Sequence, residues 1–382
     1  MGDDILFISQ YHWEGVWRRN QHVAKHLSRC RQILYFTPFP AHLVSKFPEY
    51  RQNTRGRWVQ DRIFSVSFPI IVGENKFPVI RRINQLSMIS SLIWTCLNEG
   101  MAPGLLWFSH PFAESITRFW RDLPVVYDVQ DEYPAIPSAP RDVSDREISL
   151  LRRADVVFTG TYSLYLKKKR HSRNIHFVPC GVDFEHFNRA CEDSLEIPGD
   201  MAAIVGEKIL GYFGEVGDRI DWPLLREICY RHPRWHVVLI GGVSRIGPDV
   251  AGLENIHFMG KRDYGELPNY IKAFDVCLIP FKSDELTRYI YPTKLLEYLS
   301  AGKPVISSPI PDVKRFFSGV VGVAEDVDEF ERVMERIGED RERVRKGMEL
   351  ARQASWESAV SSMEELLRAA ISRQDGGREE NG

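Results

Sequence analysis

Short apolar runs recur along the first half of the chain, at residues 5–9, 32–36, 105–108, 125–127, 156–158 and 175–178, with helical patterns between several of them. Runs this short and continuous suit strands buried on both faces, and their alternation with helices predicts a parallel sheet covered on each side. A second series starts at Lys208. Residues 209–214 and 235–240 read as strands ending in glycine, 266–273 as a helix and 275–280 as a strand; Val320 to Val323 and two strongly charged helices follow. The pattern therefore predicts an α/β chain of two doubly wound, Rossmann-like domains, whose ligands gather at the carboxyl ends of the strands. The polar, acidic stretch 192–200 reads as a hinge. The expected domains are 1–190 and 191–354, then a helix over 355–373 and a disordered tail over 374–382.

One segment has a pattern of its own: Y-P-T-K-L-L-E-Y-L-S-A-G-K-P-V-I, residues 291–306. Pro292 suits the first position of a helix, Leu295, Leu296 and Leu299 give it an apolar face, and Gly302 and Pro304 end it before a strand. Tyr291 cannot cap the first turn as Ser or Asp would, and Lys294 puts a cation where the helix dipole disfavours one. Such a start suits an external anion, typically a phosphate. Glu297 lies on the same side of the helix, able to accept from a ribose diol. A surface Lys–Glu pair on an ordinary helix is the alternative on spacing alone.

Composition narrows the class. At 382 residues with 43% apolar and 27% charged side chains, the chain is that of a globular protein with room for two cores. Its net charge is −2, but residues 1–180 carry 24 Lys and Arg against 16 Asp and Glu, or +8. That excess suits an anionic surface or acceptor, though an uneven solvated surface explains it equally. Six scattered cysteines without a C-x-x-C pair favour reduced thiols. The acidic start Met1-Gly2-Asp3-Asp4 leads straight into a strand, so no secretory signal is expected, and 86–97 is too short to span a bilayer.

Two loops of the first half are dense in chemistry. After the first strand comes Q-Y-H-W-E-G-V-W-R-R-N-Q-H, residues 10–22, from which His12 and Arg18 stand out; tryptophans capping the core beside solvated arginines would be the plain reading. In V-V-Y-D-V-Q-D-E-Y, residues 125–133, Asp131 and Glu132 either cap the next segment or face a ligand. Residues 41–62 mix aromatic and basic side chains, and Arg81 and Arg82 precede an apolar helix reaching Leu97. Peripheral membrane contact through the first domain would fit this, as would a helix packed on its own domain.

The run P-T-K-L-L-E-Y-L-S-A-G-K-P-V-I resembles the donor-nucleotide segment of GT-B glycosyltransferases, in particular the large retaining family of bacterial polysaccharide and lipid-linked sugar transferases. Further landmarks come in order: Q-Y-H-W-E-G-V-W-R at 10–18, similar to the family's H-x-W-x-x-x-x-x-R opening, Y-D-x-x-D-E-Y at 127–133, F-V-P-C-G-V-D at 177–183, similar to the family's V-x-P-N-G-V-D with Cys180 for the usual Asn, a Y-x-E-L-P-x-Y segment at 264–270, and S-W at 355–356. The resemblance implies two domains facing across a cleft. It implies that Glu297 binds the ribose, that the helix start with Thr293 and Lys294 faces the diphosphate, and that Gly214 lets the donor approach. His12 and Arg18 would lie on a loop closing over the site, with Asp131 touching the acceptor hydroxyl or the sugar and Asp128 holding the loop.

Two departures matter. Glu215 stands near where the family often has an arginine after the glycine, leaving Arg219 or Lys261 to compensate. Tyr289 stands eight residues before Glu297, where a carboxylate is frequent, so that Asp284 or Glu285 would have to serve. The expectation is a glycosyltransferase using a UDP- or GDP-linked sugar, a saccharide or lipid-linked acceptor, retention of configuration, and neither metal nor other cofactor. It would be cytoplasmic, at the inner face of the plasma membrane, with no nucleic acid involved. A nucleotide-sugar epimerase or hydrolase of the same fold, or a non-catalytic binding protein, are the alternatives.

Overall fold

The computed structural model describes residues 2–42, 53–74, 76–136, 139–250, 252–338 and 340–379, the side chains of 373–379 excepted. It divides into two compact units, residues 1–179 with 356–382, and residues 180–355.

The first unit runs β1 (Asp4–Ile8), α1 (Arg19–Leu27), β2 (Ile33–Pro40), β3 (Arg57–Gln60), β4 (Ile63–Ile70), α2 (Pro78–Glu99), β5 (Pro103–Phe108), β6 (Val125–Val129), α3 (Val143–Arg153), β7 (Val156–Thr159), α4 (Tyr162–Lys168) and β8 (Ile175–Phe177). Its sheet is ordered β3-β4-β2-β1-β5-β6-β7-β8, parallel throughout except for β3 against β4. The winding reverses between β1 and β5, which makes the ends of those two strands the switch point where ligands of such sheets bind. The runs expected at 5–9, 32–36, 105–108, 125–127, 156–158 and 175–178 all fall on strands. β3 and β4 were not among them. Buried Ser65 and Ser67 interrupt the apolar signal of β4, and buried Asn53 donates to both hydroxyls. Part of the aromatic and basic stretch 41–62, residues 43–52, lies outside the described residues.

The second unit runs α5 (Phe184–Asn188), β9 (Lys208–Phe213), α6 (Trp222–Arg231), β10 (Trp235–Ile240), β11 (Ile256–Gly260), α7 (Leu267–Lys272), β12 (Val276–Ile279), α8 (Thr293–Ser300), β13 (Val305–Ser307), α9 (Pro311–Phe316), β14 (Gly322–Val323), α10 (Val327–Ile337) and α11 (Arg341–Gln353). Its parallel sheet is ordered β11-β10-β9-β12-β13-β14 and reverses between β9 and β12.

The units part at Pro179 and Cys180, earlier than the boundary expected at 190/191. Acidic and polar as it is, 192–200 does not form the hinge. Lys272 Nζ donates to the carbonyls of Glu192, Asp193 and Leu195 at 2.6, 3.0 and 2.8 Å, and Arg262 holds Asp200 at 2.6 Å. These bonds fasten the segment to the second unit. At the other end, α12 (Trp356–Glu379) belongs to the first unit. It buries Trp356, Val360, Met363 and Leu367 at helical spacing, stacks Trp356 on His22 with ring centroids 4.5 Å apart, and pairs Glu357 with Arg29 at 2.6 Å. The tail expected to be disordered from 374 continues this helix to Glu379, and 380–382 lie outside the described residues.

Candidate functional site

In the second unit the site grows from the switch point. α8 starts at Thr293 with Pro292 as its N-cap residue, one position later than the sequence implied, and no side chain caps it. Leu295, Leu296, Tyr298 and Leu299 are buried and fix the helix on the sheet. Tyr298 sets its position most directly, because its Oη accepts the Phe213 N–H at 3.0 Å, at the last residue of β9. The helix start is therefore held beside the end of that strand.

Gly214 follows with φ of +146°, a conformation that side chains rarely adopt. A Cβ there would stand 2.2 Å from Lys294 Cε and 3.0 Å from its Nζ. Only glycine lets the lysine lie over the strand end. The neighbouring strand repeats the device: Gly241 has φ of +144°, and a Cβ on it would meet the Gly214 carbonyl at 1.7 Å. Next to it, Lys261 Cε would lie 2.9 Å from a Cβ on Gly242. Two lysines thus lie over glycines at the ends of adjacent strands, an arrangement suited to a polyanion.

One turn beyond Lys294, Glu297 is half-buried. Burial pushes its pKa up to about 7, against the opposing pull of Lys294. Burial, together with the Glu297 charge, also raises the Tyr264 phenol, whose ring stacks on His186 at 4.3 Å. Arg219 is exposed; its carbonyl accepts from Lys282 N at 2.9 Å, and its charge opposes the burial that raises the Tyr212 phenol. Tyr289 is half-buried and closes a short helical turn, Thr287–Tyr289. In the loop before it, Asp284 Oδ1 accepts from Thr287 N at 2.8 Å, so that carboxylate helps fold its own loop.

In the first unit, Gln10, His12, Arg18 and Asp131 sit around the ends of β1 and β6. Gln10 Nε2 donates to half-buried Asp131 at 3.5 Å, bringing the two loops together. His12 is buried with Nδ1 2.6 Å from the Glu14 carboxylate, which Arg57 also holds at 2.5 Å. Burial would raise the Glu14 pKa, but the His12 and Arg57 hydrogen bonds prevail and hold it near 2. Arg18 is exposed and lies over the Tyr11 ring at 4.5 Å.

The deeper arginine is Arg19. It is buried and forks Asp128 through Nε at 3.0 and 2.9 Å, so Asp128 anchors α1 to β6. His110, buried at the end of β5, also escaped the sequence reading. Its Nδ1 accepts from Phe112 N at 3.1 Å, and burial lowers its pKa to about 3. A histidine two residues past a strand of the switch point was the signal available for it. Among the described residues, no three His, Cys, Asp or Glu side chains come together in a way that could hold a metal ion.

Residues 208–340, the greater part of the second unit, match the family model described as glycosyl transferases group 1. Sucrose-phosphate synthase from Thermosynechococcus elongatus aligns over 97% of this chain and all of its own, at 14% identity and a TM-score of 0.73. Anabaena HepE in complex with UDP aligns over 96% of this chain and all of its own, at 14% identity and 0.70. Residues 208–340 therefore form a glycosyl transferases group 1 domain, and the chain as a whole has the fold of these two solved structures. The chain is also 24% identical over 229 residues to TuaH of Bacillus subtilis (strain 168), assigned as a teichuronic acid biosynthesis glycosyltransferase. That alignment covers 55% of this chain and 56% of TuaH.

Proposed function

We propose that the chain transfers a sugar from a nucleotide diphosphate donor, UDP- or GDP-linked, to a saccharide or lipid-linked acceptor, with retention of configuration and without a metal. The observation that carries this reading is Lys294 lying over Gly214 one turn before half-buried Glu297, at the switch point of a group 1 domain. Lys294, Lys261 and Arg219 would offset the charge of the departing diphosphate, and Thr293 opens the helix that points at it. Glu297 would accept from the ribose diol. In the first unit, Asp131 would contact the acceptor, with His12 and Arg18 on the loop beside it. Retention would follow if the leaving phosphate takes the acceptor proton on the face it departs from.

HepE is described in complex with UDP and with UDP-glucose, and a trehalose-6-phosphate enzyme of Escherichia coli with UDP-2-fluoro glucose. These favour UDP among the bases. TuaH is named for teichuronic acid biosynthesis, which favours a role in polysaccharide biosynthesis; the chain would act in the cytoplasm, at the inner face of the plasma membrane. Calorimetry with UDP- and GDP-sugars tests the donor half: one class should bind, and Glu297→Ala should lose most of that affinity. If neither class binds, the reading fails. If donor is consumed to free sugar at the same rate with and without saccharide or lipid-linked acceptors, the chain is a hydrolase instead.

A further inference from the structure

The first unit carries an apolar face that its own core does not use. α2 is 22 residues long, about 33 Å at the usual rise. Asn84, Met88, Leu92, Thr95 and Cys96 form its buried side. On the opposite side, Val79, Ile83, Leu86, Trp94 and Leu97 are 46–77% exposed, at helical spacings of four, three, eight and three. Ile71 and Val72, about half exposed, extend the face. They are held there, since Asn84 both accepts from Ile71 N at 2.9 Å and donates to its carbonyl at 2.8 Å. A fixed apolar face of this extent marks a contact surface.

Charge decides the partner. The acids beside this face are engaged: Glu74 with Arg146 at 2.8 Å, Asp142 with Arg81 at 2.5 Å, and Glu99 with the Trp58 indole at 2.9 Å. Lys76 and Arg82 are exposed, with no ion pair among the described residues. A second copy of the chain would bring the same engaged acids and the same spare cations, and so no complementary charge. An anionic bilayer surface supplies both the apolar layer and the negative headgroups. No helix of the described residues is long and apolar enough to cross a membrane, so contact would be by lying in the interface.

We propose that the outward face of α2, with Ile71, Val72, Lys76 and Arg82, docks the chain on an anionic lipid surface. This names the surface for the membrane location proposed above and stands apart from donor binding. The test is co-sedimentation of the full chain with vesicles of phosphatidylcholine alone and of equal parts phosphatidylcholine and phosphatidylglycerol. Binding should require phosphatidylglycerol and weaken with salt. Leu86→Glu with Leu97→Glu, and separately Arg82→Glu, should each reduce it by about tenfold or more while leaving the melting temperature unchanged. No vesicle binding, equal binding to both compositions, or unchanged binding of the variants would overturn the proposal. So would a wild-type dimer in sedimentation velocity that the leucine substitutions dissociate, since the face would then belong to a second copy. UDP-sugar affinity measured on the same samples separates this outcome from failure of the donor site.

Discussion

Lys294 lies so close over Gly214 that a Cβ there would stand 2.2 Å from its Cε. The end of β9 and the first turn of α8 therefore form one structure, in which the glycine exists to seat the cation. Gly214→Ala would meet both the strained φ and the lysine, at a cost of about 1–3 kcal/mol. The lysine must move. A charge-assisted hydrogen bond is worth about 1.5–3 kcal/mol, so UDP affinity by calorimetry should fall about tenfold to a hundredfold, as it should for Lys294→Met. Affinity unchanged in both variants would remove the pair from the phosphate site.

Asp128 has no exposed surface, and Arg19 is its partner in the buried ion pair. Removing one member leaves the other charged and desolvated, so Asp128→Ala should cost about 3–5 kcal/mol in urea unfolding. Replacing both, as Arg19→Met with Asp128→Leu, should recover most of that loss, because the desolvation penalty disappears with the charges. A double variant no more stable than the single one would mean that the pair holds α1 by geometry rather than by charge balance.

The sequence was readable where local chemistry marks its own boundaries. α8 and β13 follow from Pro292, Gly302, Pro304 and three leucines, all within a few residues of each other. It was not readable where a partner is distant. Arg18 and Arg19 are adjacent and chemically alike, and only the register of α1 against β6 makes one an exposed side chain over Tyr11 and the other the partner of Asp128, 109 positions away. The same holds for 192–200, whose acidic composition looks like a linker until Lys272 gathers its carbonyls. Ser65 and Ser67 hid β4 because the Asn53 that satisfies their hydroxyls comes from another loop.

Tyr298 also lay outside the sequence reading, which built the apolar face of α8 from its three leucines alone. Its hydroxyl receives the buried Phe213 N–H at the end of β9. Tyr298→Phe would leave that amide without its acceptor, at about 1–3 kcal/mol. The loss should appear in denaturant unfolding and as faster hydrogen exchange at Phe213. Exchange at Phe213 as slow as in the parent protein would show that the hydroxyl is dispensable for placing the helix.

Glu297 gives the site a pH dependence of determinate sign. Burial raises its pKa from 4.5 to about 7, so between those values the folded chain holds a proton that the unfolded chain has lost. Its contribution to stability is therefore full below 4.5 and is lost as pH rises through about 7. Donor binding runs the other way if the carboxylate accepts from the ribose hydroxyls, since only the ionised form can accept from both. UDP-sugar affinity should rise as pH increases toward 7, by at most about tenfold per unit, and level off above it. Glu297→Gln should bind more weakly above pH 7 and show no such rise. The nucleotide sugar itself has no phosphate that titrates in this range, so a slope in the parent chain that vanishes in the glutamine variant belongs to this carboxyl. A flat profile in the parent chain would mean that Glu297 does not hold the ribose as an anion.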